Sequence, residues 1–134
     1  MKLGFAILSS VFCFVSTIAF AHEGEHMHEP HPHRHMQYAK EKNPIPVNEQ
    51  SIMKGKEIYG KHCLRCHGEG GKAQGNLDLT KTVFIHGDSD GEIFHLITDG
   101  VKGTAMQAFK KELTRNMRWH LVNYIKSLKG QKER

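Results

Sequence analysis

The residues best equipped for chemistry in this chain stand together as Cys63-Leu64-Arg65-Cys66-His67. Two thiols two residues apart share one short turn, and an imidazole follows directly behind the second. Such a turn offers both sulfurs to the two vinyl groups of a haem and a nitrogen to its iron, the pattern of covalent c-type attachment. A redox dithiol would want a βαβ setting, and a zinc site would want a second pair of ligands. Neither is present in the sequence. Cys63 and Cys66 are therefore expected to carry haem c covalently, with His67 as one axial ligand of the iron.

A second concentration of ligand-type side chains precedes this motif. Six histidines lie between His22 and His35. In His26-x-His28 and His31-x-His33-x-His35 the imidazoles alternate, so a flexible chain can wrap them round copper, nickel or zinc. The plainer reading is a solvated linker kept polar by its histidines. Pro30, Pro32, Pro44 and Pro46 forbid a continuous helix, and apolar periodicity is missing from His22 to about Asn48. Residues 22–48 read as a disordered or extended arm.

Upstream of the arm, Lys2 is followed by an uncharged stretch from Leu3 through Ala21 that ends Ala19-Phe20-Ala21. Small-x-small at the end of such a stretch marks residues 1–21 as a cleavable signal peptide, with His22 as the mature start and the periplasm as destination. An uncleaved anchor is the alternative, since the apolar run almost suffices to span a bilayer. Cleavage would remove Cys13 and leave only the two cysteines of the motif. Loss of Lys2 lowers the net charge from +5 to +4. Acidic and basic residues are otherwise interspersed, without the basic runs of a nucleic-acid binder.

Residues 49–134 must supply the fold that positions the motif. Asn48 and Glu49 suit the start of a helix running to about Gly60, with Ile52, Lys56 and Tyr59 on one face and the aliphatic stem of Lys56 along the stripe. Ser89-Asp90-Gly91-Glu92 reads as a capping box for a second helix with Ile93, Leu96 and Ile97 buried, stopped by Asp99-Gly100. A last helix opens at Thr114 and runs to about Lys129, with Met117, Leu121, Tyr124, Ile125 and Leu128 at helical spacing. Between them, Thr82 to His86 offers at most a short extended piece.

The ordered set from about Ile52 to Leu128 resembles a class I c-type cytochrome domain. Gly55 and Tyr59 give the Gly-x-x-x-aromatic pattern ahead of Cys-x-x-Cys-His-Gly. Then come an amphipathic helix, the loop Gly103-Thr104-Ala105-Met106-Gln107-Ala108-Phe109, and a helix reading Trp119-x-x-x-x-Tyr124-Ile125-x-x-Leu128. The resemblance implies an all-α fold of three or more helices wrapped round one covalent haem, with the first and last helices crossing at Gly55. It also implies Met106 as the distal iron ligand, although Gln107 stands where proline often follows. No proline follows the haem motif to fix the proximal imidazole, which leaves the partner of His67 unassigned. Leu77 and Phe109, with Leu79, Ile97 and Trp119, are the candidates for the apolar haem lining.

With iron held by His67 and Met106, the role the resemblance implies is an electron carrier and not an enzyme. The expected partners are redox proteins with an acidic docking surface, steered by Lys61, Lys72, Lys102, Lys110 and Lys111. The membrane would be met only transiently or through a larger oxidoreductase. Two other classes stay open: a five-coordinate haem with peroxidase-like activity, and a metal-handling protein whose histidine arm does the work while haem plays an accessory redox role.

Overall fold

The computed structural model describes residues 36–131, so the expected signal peptide and the six clustered histidines lie outside the described residues. Four α-helices carry the fold: α1 (Glu49–His62), α2 (Leu64–His67), α3 (Asp90–Asp99) and α4 (Arg115–Leu128). Short 3-10 turns occur at Met36–Tyr38, Glu69–Gly71 and Gly75–Leu77, and no strand is present among the described residues. The segment 82–86, expected to be at most extended, is a series of bends and turns.

The side chain of Asn48 accepts from Ser51 N at 2.8 Å and caps α1. The buried face of α1 is Ser51, Gly55, Ile58 and Tyr59, a spacing of four, three and one that holds one side of a helix. Lys56, expected along this stripe, is exposed. Contact with α4 is centred on Gly55, which rotates Ile58 inward and Lys56 out. Tyr59 meets Tyr124 of α4 edge to face, with ring centroids 5.1 Å apart.

The capping box of α3 is present in both directions between Ser89 and Glu92, and Gly100 ends the helix at φ 71°. Ile93 and Ile97 are buried as expected, but Phe94 takes the place foreseen for Leu96, which is only half-buried. The cause is Trp119 on α4, which is fully buried and stacks on Phe94 at 3.8 Å. That ring pair fixes the rotation of α3 against α4.

The stretch 36–48, which composition alone joins to the histidine-rich arm, packs on this core. Tyr38 stacks on His95 at 3.3 Å, and His95 Nε2 lies 3.0 Å from Glu41. Asn43 N donates to Asp90 at 3.0 Å, and Asn43 Nδ2 donates to Trp119 O and Asn123 Oδ1. Asn123 is buried yet satisfied, donating to Ile45 O and Ser51 Oγ. A polar anchor of this kind leaves no mark on hydrophobic periodicity. Among the described residues no helix is long and apolar enough to cross a membrane.

Candidate functional site

The thiol turn grows out of the end of α1. Cys63 N donates to Tyr59 O at 2.8 Å, and His67 N donates back to Cys63 O at 2.9 Å. One continuous helical turn thus sets Cys63, Cys66 and His67 in order. Both cysteines are free, Cys63 half-buried and Cys66 exposed. Burial pushes the Cys63 thiol up to about 11, and the neighbouring Cys66 sulfur adds to the rise. Near neutral pH Cys63 is therefore a protonated thiol, not the thiolate that forms disulfides.

The orientation of His67 is set from its far side. Its Nδ1 lies 2.8 Å from the backbone oxygen of Leu77. A carbonyl can only accept, so Nδ1 carries the hydrogen and Nε2 keeps its lone pair for a metal. The 3-10 turn Gly75–Leu77 and the bond from Leu79 N to Gly71 O at 2.8 Å hold that carbonyl in place. The sequence offered no proline for this task and gave no sign that a leucine carbonyl ten residues on would perform it. Behind the turn, Tyr59 Oη donates to Gly68 O at 2.7 Å, and burial pushes its phenol upward.

Met106 is half-buried and, like Cys63, packs against the main core. Among the other thioethers and imidazoles, Met117 on α4 is half-buried against the same core, while several are engaged or turned outward. His95 is held by Tyr38 and Glu41, and His120 Nδ1 meets Ser51 Oγ at 2.8 Å. His62 faces Glu112 at 3.8 Å, while Met36 and Met53 are exposed. His86 is half-buried in the loop before α3.

Of the expected lining residues, Phe109 is buried and meets the ring of His62 edge-on, and Ile97 and Trp119 lie in the core. Leu79 is half-buried against that core. Leu77 instead leaves its side chain 49% exposed, as do Leu64 at 42% and Ile85 at 44%. Two free thiols, an imidazole with an available Nε2, a thioether and uncovered apolar side chains on the thiol turn and beside His67 are the donor set and surface that haem c requires. The five lysines named above are all exposed, Lys61 pairing with Glu57 at 2.7 Å and Lys110 with Asp99 at 3.2 Å.

Comparison with known proteins bears on the same segment. Residues 50–125 match the family described as cytochrome c oxidase, cbb3-type, subunit III. The chain is 32% identical over 88 residues to the cbb3-type cytochrome c oxidase subunit FixP of Azorhizobium caulinodans, covering 63% of this chain and 30% of that protein. It is 31% identical over 90 residues to subunit CcoP of an Azospirillum species, covering 58% and 30%. The chain thus spans under a third of the length of these relatives. Among solved structures, a chain of the reducing HAO-like protein complex of Kuenenia stuttgartiensis superposes with a TM-score of 0.58 at 32% identity, over 63% of this chain and 46% of that one. Cytochrome cL of Methylophaga aminisulfidivorans gives 0.56 at 19% identity, over 60% and 55%, a likeness of fold alone.

Proposed function

The chain belongs to the cbb3-type cytochrome c oxidase subunit III family of c-type cytochromes, whose members carry covalent haem c, and from that premise we propose that it is a periplasmic carrier of single electrons. In this reading Cys63 and Cys66 form the two thioether links, His67 Nε2 is the proximal ligand and the sulfur of Met106 the distal one. Haem c, when bound, supplies the one-electron couple. The observation that carries the reading is the 2.8 Å contact between His67 Nδ1 and Leu77 O, which frees Nε2 directly behind the two thiols.

The residues divide the remaining work. His67 is kept in one tautomer and one orientation by Leu77, which raises its basicity as a ligand. Met106 would supply the second protein ligand to the iron, which would leave no position for a substrate and favours carriage over catalysis. Lys102 and Lys111 are exposed at either side of the Met106 loop, a placement suited to docking an acidic redox partner in a salt-sensitive way. The likeness to oxidase subunits supports service within, or alongside, a larger oxidoreductase.

Acid–acetone extraction and mass spectrometry test attachment: one haem should remain on a chain beginning at His22. Haem lost on extraction would end the covalent assignment. The ferric protein should show the weak near-infrared absorption of an iron–sulfur bond, and Met106→Ala should abolish it while admitting carbon monoxide to the reduced protein.

A further inference from the structure

The Met106 loop lacks the proline that often follows the distal methionine, yet its backbone is tied on every side. It starts at Gly100, where a Cβ would stand 2.5 Å from Met106 O, so the loop folds back directly onto the end of α3. Val101 N donates to Met106 O at 3.0 Å and closes the loop. Inside it, Met106 N donates to Thr104 Oγ1 at 3.1 Å, and Thr104 Oγ1 donates to Val101 O at 2.8 Å. One hydroxyl thereby fixes the peptide that leads into Met106.

The far side is tied as well. Gln107 Nε2 donates to Glu112 Oε1 at 3.3 Å, and Glu112 Oε2 lies 3.8 Å from Nδ1 of His62, the residue before Cys63. Gln107, where a proline would restrict φ, instead reaches through Glu112 toward the thiol turn. Phe109 N donates to Ile97 O at 3.0 Å and Lys110 N to Thr98 O at 3.2 Å, completing the attachment to α3.

We propose that Thr104 and the Gln107–Glu112 pair are positioning residues for Met106, doing with side-chain hydrogen bonds what proline does with a fixed φ. The inference rests on the reading of Met106 as the distal ligand. Thr104, Gln107 and Glu112 are exposed, so water competes for their bonds and each contributes modestly. A methionine that leaves the iron more often opens that position to an added ligand, whose apparent affinity scales with the open fraction.

The test is imidazole titration of the ferric full-length holoprotein, read beside the near-infrared band. Thr104→Val and Glu112→Ala should each tighten imidazole binding by about three- to five-fold, the scale of one exposed hydrogen bond. Thr104→Ser, which keeps the hydroxyl, should bind imidazole as wild type does. Adding Gln107→Pro to Glu112→Ala should restore the wild-type affinity. Unchanged affinity in Thr104→Val and Glu112→Ala, with the band present in wild type, overturns the inference while leaving the ligation reading standing. A wild-type spectrum without the band removes Met106 from the iron, and the inference with it.

Discussion

Gly55 of α1 lies so close to His120 of α4 that a Cβ on Gly55 would stand 2.2 Å from the His120 carbonyl oxygen. The next neighbour, Tyr124 Cβ, would be 2.6 Å away. Neither the carbonyl nor a Cβ can swing aside, so a methyl group must push the helices apart. Gly55→Ala should therefore destabilise the holoprotein by about 3 kcal/mol, the upper range for overpacking. Gly60 on the same helix has nothing within 4 Å of its Cβ position. Gly60→Ala should be neutral or stabilise by up to about 1 kcal/mol. Denaturant unfolding of both variants measures the difference, and equal losses would rule out the crossing as the cause.

That crossing was expected from the family resemblance, and glycine suits it because two helix axes can then approach closely. The pair Ser89 and Glu92 was legible directly, since its capping box has a fixed sequence spacing and forms as written. What stayed hidden depends on contacts distant in sequence. Asn43 reaches Trp119 and Asn123 across 76 and 80 residues, so composition put residues 36–48 with the arm although they hold the core. The support of His67 comes from a backbone carbonyl, which every residue possesses and no sequence advertises. Leu77 was singled out for its side chain, and it is its main chain that touches the site.

Tyr59 links the helix crossing to the haem motif. Its hydroxyl donates to Gly68 O at 2.7 Å, one residue beyond His67, while its ring packs against Tyr124. Tyr59→Phe keeps the ring and removes only the donor. The expected loss is about 1 kcal/mol, the net worth of one hydrogen bond, since Gly68 O keeps Gly71 N as a donor at 3.2 Å. Exchange of the turn's amides by hydrogen exchange mass spectrometry should quicken around 64–71. Unchanged exchange there would mean that the turn is held without Tyr59.

Acid should weaken the α1–α4 contact through His120. Burial, followed by the nearby Lys54 ammonium, holds this imidazole below its ordinary value of 6.5. Ser51 Oγ accepts from Asn123 Nδ2 at 2.8 Å and meets His120 Nδ1 at 2.8 Å, which ties α1 to α4 at this point. Charging the imidazole there costs desolvation and sets it against the Lys54 ammonium. The unfolded state therefore takes up the proton first, and the stability from this group is complete above about pH 6.5 and lost as pH falls through the lower folded value. Asp78 and Asp90 titrate below the ordinary carboxylate range, well under this window. Between about pH 7 and pH 5 the melting temperature should fall, and His120→Asn should flatten the fall. An identical slope in the variant would assign the acid sensitivity elsewhere.

The histidine-rich segment can be separated from the domain by where a deletion stops. Tyr38, Glu41 and Asn43 bind α3 and α4, so removal of His22 to Arg34 spares every contact described for the core. The haem spectrum and reduction potential should then stay nearly unchanged. Copper or nickel uptake near neutral pH should largely disappear, because five of the six clustered imidazoles leave with the segment and only His35 stays. In the full-length protein that uptake should weaken as pH falls through about 6.5, where imidazole trades a metal for a proton. A deletion carried on through Asn43 should behave differently, lowering the melting temperature because Asn123 loses a buried partner. Equal metal uptake by the short deletion and the full chain would return these histidines to the role of a solvated linker. A changed haem spectrum in the short deletion would instead bring one of them to the iron, in competition with Met106.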